Sequence, residues 1–214
     1  MKKWQKTGLL IVWCIIIAGC FYFRKELTTE QIHTPGNLLA AFFMMMGLFA
    51  VKSVSVVIYS GLLFAVSGMI FPMKFAIAVN FCGAAIMVTL PWLIGKKGGG
   101  TMVSSIMKKY PKTEKLKEIC TGNGFILTFL LRVIGKIPSD VLSLYLGAIG
   151  IDYKVYFAGS MLGLLPHLFT FPIMGMNIQN IHSTEFRISV GIEAIYMACS
   201  AGFYWIYSKK RKRK

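Results

Sequence analysis

Acidic residues are scarce in this chain. Asp and Glu number 8 in 214 residues, and none falls between Glu30 and Glu114. DEKR residues make up only 15% of the sequence, against about 25% in a soluble domain, while apolar residues reach 56%, against about 45–50%. A soluble protein of this size cannot cover so much apolar surface with so few charges. That excludes a soluble enzyme, a disordered chain and a secreted disulfide scaffold. Cysteine is also sparse: Cys14, Cys20, Cys82, Cys120 and Cys199 show no C-x-x-C spacing and mostly sit inside apolar runs. An odd, scattered set of this kind provides neither a disulfide framework nor a zinc site, and reads as small buried hydrophobes. Gly98-Gly99-Gly100 lacks the Gly-Lys-Ser/Thr that would make a phosphate-binding loop. No haem, flavin or metal constellation is visible, so the sequence calls for no cofactor.

What is present is a series of apolar runs. Met1 to Lys6 is basic, and Gly8 to Phe23 is free of charge. With no A-x-A site before Arg24, this run reads as an uncleaved first transmembrane helix rather than a signal peptide. Arg24 to Asn37 is a polar loop containing Pro35-Gly36. Leu38 to Ile94 is apolar but for Lys52 and Lys74, and Gly95 to Ile119 is polar with seven lysines. Thr121 to Gly150 is apolar but broken by Arg132, Gly135-Lys136 and Pro138-Ser139-Asp140. Tyr153 to Met176 carries Pro166 and Pro172, and Asn177 to Arg187 is a short polar loop. Ile188 to Tyr207 is apolar apart from Glu193, and Lys209 to Lys214 is basic throughout.

The net charge of +16 reads as topology rather than nucleic-acid binding, because seventeen of 24 Lys/Arg lie in four segments between or beyond the apolar runs. Those four are placed inside, and the loops Arg24–Asn37 and Asn177–Glu185 outside. Thr121–Gly150 must then begin and end inside, yet it is too short for two full spans of about twenty residues each. A re-entrant hairpin breaking at Gly135–Asp140 fits. The expected fold is all-α: a polytopic membrane protein with two opposed re-entrant hairpins in an inverted repeat, a transporter design. Its expected parts are an N-terminal helix and outer loop (1–37), a membrane domain (38–185) and a last helix with basic tail (186–214). Within the membrane domain they are a hairpin 38–71, a helix 73–94, a cytoplasmic basic segment 95–120, a hairpin 121–150 and a helix 153–176. Both termini are expected in the cytoplasm, at the cell's plasma membrane.

The stretch Phe129 to Asp140 carries Arg132, Lys136 and Asp140 in apolar surroundings. Charge at membrane depth costs about 2.5–3.5 kcal/mol per group by insertion scales, so such residues tend to be functional or paired. Arg132 suits bidentate phosphate binding and Lys136 acts as a point charge. Asp140 is a counter-ion or a proton carrier; alternatively, an Arg132–Asp140 pair merely locks the hairpin. Glu193, alone in the last helix, reads as a hydrated or paired carboxylate, and His167 as a satisfied histidine beside the Pro166 kink.

Leu131-Arg132-x-x-Gly135-x-x-Pro138-x-Asp140-x-x-Ser143-x-x-x-Gly147, followed by Tyr156-x-x-Gly159-x-x-x-Gly163-x-x-Pro166, resembles the C-terminal signature of the DedA superfamily, also called the VTT-domain or SNARE-associated Golgi protein family, in its Tvp-like branch. Lys52-Ser53, Ser67-Gly68 to Phe71, Asn80 to Ala85 and Leu93 to Gly95 are similar to its first half. The resemblance implies lipid handling, with phospholipids or polyprenyl phosphates moved between leaflets and ion or proton coupling in some members. It implies substrate contacts at Arg132, Lys136, Pro138, Asp140 and Lys52, and structural roles for Gly68, Gly147, Gly163 and Pro166. This chain departs from the pattern in lacking a first-hairpin carboxylate, and its break region, Ile58-Tyr59-Ser60-Gly61, has no proline. Coupling through such a carboxylate is therefore not expected. Lys52 offers a second cation to a headgroup or snorkels to an interface.

The leading expectation is a non-enzymatic flippase or scramblase whose partners are membrane lipids with anionic headgroups; an oligomer is compatible with it. The alternatives are a coupled transporter of a small solute, an assembly factor, and, remotely, a serine hydrolase built on Ser67 and His167.

Overall fold

The computed structural model describes residues 35–54, 59–109, 123–135 and 137–211. The expected helix at Gly8–Phe23, together with Ile58, Lys136 and the end of the tail, lies outside them. Among the described residues every regular element is a helix: α1 (Pro35–Val54), α2 (Ser60–Ile70), α3 (Met73–Lys109), α4 (Gly124–Ile134), α5 (Ser139–Ala148), α6 (Tyr153–Met176) and α7 (Thr184–Arg211).

Local chemistry sets most of the boundaries. Proline suits the first helical position because its missing N–H would have no partner there, and Pro35 opens α1. The Asn123 side chain accepts from the N–H groups of Phe125 and Ile126, the Asp152 side chain from those of Lys154 and Val155, and the Ser183 hydroxyl from that of Phe186. These are N-caps for α4, α6 and α7. Gly135 ends α4 at φ 61, a left-handed turn that favours glycine. Within α3 the backbone leaves helical geometry at Gly99 (φ 54, ψ −145).

Four boundaries correct the sequence reading. Pro35–Asn37 and Thr184–Arg187 are helical turns rather than loop, because Pro35 and the Ser183 cap start their helices earlier. Ser60 and Gly61 belong to α2, so the first break precedes them. The helix expected over 73–94 continues to the glycine run, because Gly95 is packed against α5.

Two segments, Met73–Gly99 and Tyr153–Met176, are long and apolar enough to cross a membrane. By contrast α2, α4 and α5, with 11, 11 and 10 residues, are each only about 15–17 Å long at 1.5 Å per residue. Large apolar side chains are exposed around the molecule, among them Phe43, Phe75, Leu162, Ile195 and Met197. A water-facing surface would not carry them so densely; a lipid-facing one does.

The two long helices are the scaffold. α3 packs against α1 and α5, α6 against α2 and α4, and α3 and α6 touch; α7 lies on α6. The short helices approach closely enough that backbone meets backbone. A Cβ at Gly68 of α2 would strike the Pro172 carbonyl of α6, and one at Gly175 would strike the Ala65 carbonyl in return. In the same way Gly147 of α5 meets the Trp92 carbonyl of α3, and Gly95 meets that of Leu144. Small residues at such crossings let helices pack by van der Waals contact where water gives no drive to associate. Gly95 and Gly175, given no structural role by the sequence reading, do the same work as Gly68 and Gly147. Phe49, Phe64, Met87, Tyr145, Tyr156 and Leu168 fill the core between them.

Candidate functional site

The hairpin break between α4 and α5 opens onto a cavity of about 650 Å³, bounded also by the end of α1, the start of α2, and facing parts of α6 and α7. Lys52, Arg132, Pro138, Asp140, His167 and Glu193 all line it.

Arg132 stands in the last turn of α4 and is 8% exposed. Gly163 on α6 admits it, since a Cβ there would come within 2.6 Å of the arginine Cβ. Its Nε donates to the Ser160 hydroxyl at 3.3 Å, and one terminal nitrogen to the Ser139 carbonyl at 3.2 Å and to the Ser139 hydroxyl. The other donates to Ser143 Oγ at 2.7 Å and to the Tyr156 hydroxyl at 3.0 Å. Two of these acceptors are oriented by bonds of their own. Ser143 donates to the Ser139 carbonyl at 2.8 Å, and Tyr156 donates to the Val88 carbonyl of α3 at 2.8 Å while its ring stacks on Trp92. Both therefore turn a lone pair toward the guanidinium. Every one of these acceptors is uncharged, so no hydrogen-bond partner of Arg132 neutralises it.

Asp140 does not pair with Arg132. Ser139 and Ser143, four apart, share the face of α5 that meets Arg132, and Asp140 stands about 100° further round the helix. Its carboxylate meets Lys52 instead, with Nζ 2.6 Å from both oxygens. The two side chains are 2% and 4% exposed. This replaces both expectations for Lys52: it neither snorkels nor stands free for a headgroup, and it ties the end of α1 to the start of α5. Pro138 caps α5 at the cavity rim, and Lys136 lies outside the described residues.

On the opposite wall His167 Nδ1 lies 2.9 Å from Glu193 Oε1. The Thr170 hydroxyl sits between that oxygen and the Pro166 carbonyl one helical turn back, 2.9 Å away. The Tyr196 hydroxyl donates to the Gly163 carbonyl at 2.7 Å, and its ring stands edge-on to the imidazole. Glu193 is thus the paired carboxylate expected, and His167 is satisfied by it. The sequence reading considered them separately; the joint signal lay in Glu193, Tyr196 and Ser200 recurring along one face of α7. Ser67 is fully buried on Asn80 and the Phe64 carbonyl, and has no hydrogen bond to His167.

The family model described as VTT domain matches residues 56–177, which runs from the first break to the end of α6 and leaves α7 outside. A protein of Bacillus subtilis (strain 168), named "Uncharacterized protein YqeD", is 24% identical over 173 residues, 81% of each chain. No solved structure matches.

Proposed function

The chain belongs to the VTT-domain family, a family of membrane proteins, and from that membership we propose that it is a multi-pass plasma-membrane transporter that moves a phosphate-bearing lipid between leaflets as a flippase or scramblase. The observation that carries this reading is Arg132: a buried guanidinium at the wall of a cavity, hydrogen-bonded only to neutral oxygens. A charge held so costs desolvation that an arriving anion repays. A phosphate meets this charge in the cavity, and engages the guanidinium fork only by displacing the hydroxyls that hold it. Lipid tails stay in the bilayer while the headgroup occupies the cavity.

The arrangement of helices supports alternating access by two opposed halves. α4 ends 80 residues after α1, α5 begins 79 after α2, and α6 begins 80 after α3. On this offset Arg132 answers to Lys52, Gly163 to Gly83, Gly175 to Gly95 and, one residue less, Gly147 to Gly68. Each unit is a pair of helices followed by one long helix, and α2, α4 and α5 reach only about half of a 30 Å hydrocarbon core. A unit that crosses an odd number of times hands the chain to the other side, so its repeat starts inverted. Backbone at the two breaks is then satisfied by protein and cavity rather than lipid. The basic segments around this unit favour both termini inside.

A leaflet-exchange assay tests the reading. Protein in liposomes with fluorescent phospholipid or polyprenyl phosphate, and dithionite quenching of the outer leaflet, is expected to speed exchange, and Arg132→Ala to return it to the protein-free rate. No exchange by folded wild type, with or without an ion gradient, overturns it and moves a phosphate-bearing solute to the front.

A further inference from the structure

Among the described residues the cavity holds two charge centres besides the Lys52–Asp140 pair, whose charges cancel. One is Arg132. The other is the His167–Glu193 pair on the facing wall, with side chains 21% and 11% exposed, so that protons reach it through the cavity. Glu193 belongs to α7, outside the matched domain. With a neutral imidazole the pair carries −1 and offsets Arg132; with an imidazolium it carries zero, and the cavity is left at +1. An anion is held weakly or tightly accordingly, and in a low-dielectric enclosure that one unit of charge counts heavily. An imidazole is the side chain able to take or give a proton in this way near neutrality.

We propose that His167–Glu193 is a proton site linked to occupancy of the cavity by a phosphate diester anion, so that one proton is taken up as the anion arrives at Arg132 and released as it leaves. This rests on the headgroup reading above and adds what gates it. Among the described residues the groups facing the pair are few. Tyr196 stands beside it on α7, Tyr59 faces it at the start of α2, Arg132 comes from α4, and Lys52 and Asp140 lie across the cavity on α1 and α5. The titratable residues of α3 described here, Lys74, Cys82, Lys96 and Lys97, do not line the cavity. Linkage is reciprocal: the anion must favour the protonated pair by the factor by which the proton favours the anion.

Calorimetric titration of the purified full chain tests this, with two probes that stay singly charged across neutral pH: dihexanoyl phosphatidylglycerol and dimethyl phosphate. Each is run between about pH 5 and 8 in two buffers of different ionisation heat, which counts protons. Wild type is expected to take up close to one proton per probe, and its affinity to fall about tenfold per pH unit on the alkaline limb. His167→Gln is expected to bind with the weak alkaline affinity of wild type and no pH slope. Glu193→Gln is expected to bind more tightly than wild type at the alkaline end. A merely structural role would not displace the two variants in opposite directions. Binding without proton uptake, or an unchanged slope in His167→Gln, overturns the proton site alone. No binding of either probe by folded protein overturns the headgroup reading and this one with it. Proton-linked binding of dimethyl phosphate without the lipid supports the site and assigns it to a free diester.

Discussion

Replacing Asp140 by leucine removes the counter-ion of a lysine that is 2% exposed. Lys52 Nζ lies 2.6 Å from both carboxylate oxygens, so the substitution deletes the ion pair and both of its charge-assisted hydrogen bonds in one step. Leaving one partner of a buried pair costs about 3–5 kcal/mol, which lowers the folded-to-unfolded ratio by two to four orders of magnitude. Lys52→Met alone leaves the carboxylate behind and is expected to cost a similar amount. The double variant Lys52→Met with Asp140→Leu leaves no buried charge, and apolar replacement of a whole pair is often neutral. The expected cycle is therefore strongly non-additive, with a coupling of about 3 kcal/mol or more. Equilibrium unfolding of the four proteins in one detergent measures it. Single variants that each cost less than about 1 kcal/mol would show an exposed pair and refute the geometry. A double variant as unstable as the singles would refute the charge argument, because shape would then be the cause.

Three further outcomes follow from the packing. Gly68→Ala and Gly147→Ala each set a Cβ against a carbonyl of the partner long helix, so each is expected to lose about 1–3 kcal/mol in thermal unfolding. Their costs should match, since the two contacts are equivalent. Tyr156→Phe removes the bond to the Val88 carbonyl and one acceptor from Arg132, which is expected to cost about 1–3 kcal/mol in the same measurement. Thr128 has a buried hydroxyl with no partner, so Thr128→Val is expected to leave the melting temperature unchanged or raise it, by no more than about 1 kcal/mol of stability.

Periodicity and composition make some of this molecule legible and leave the rest dark for definite reasons. The apolar runs foretell the long helices, and Gly135 to Asp140 foretells the second break, because a left-handed glycine turn and a proline are local signals. The helix starts at Pro35 and Thr184 are local too, yet the polar residues around them read as loop. The glycine crossings are harder. Gly68 and Gly147 look like packing glycines, but Gly95 sits beside Lys96-Lys97 and reads as the end of a helix rather than its tightest contact. The Lys52–Asp140 pair joins residues 88 apart and has no sequence signal at all. Nearness in sequence suggests Arg132 as the partner of Asp140 instead, but the face of α5 that meets Arg132 carries Ser139 and Ser143.

The two halves use equivalent positions unequally, and that asymmetry is where function enters. Lys52 and Arg132 both stand in the last turn of the helix before a break, 80 residues apart. A lysine offers a point charge, which one carboxylate saturates; Asp140 does so with both oxygens. An arginine spreads its charge over a planar fork with five donors. Ser139, Ser143, Tyr156 and Ser160 satisfy its hydrogen bonds and leave its charge. The first position is therefore closed by an internal anion and the second is kept open to an external one. A lysine at 132 could not be held in this way, since three donors cannot replace the five bonds that Arg132 makes to α5 and α6. Arg132→Lys is accordingly expected to preserve net charge yet lose leaflet exchange, with exchange rate and melting temperature both falling. A lysine variant that exchanges lipid at the wild-type rate would show that charge alone suffices, and that the four hydroxyls serve the fold and not the ligand.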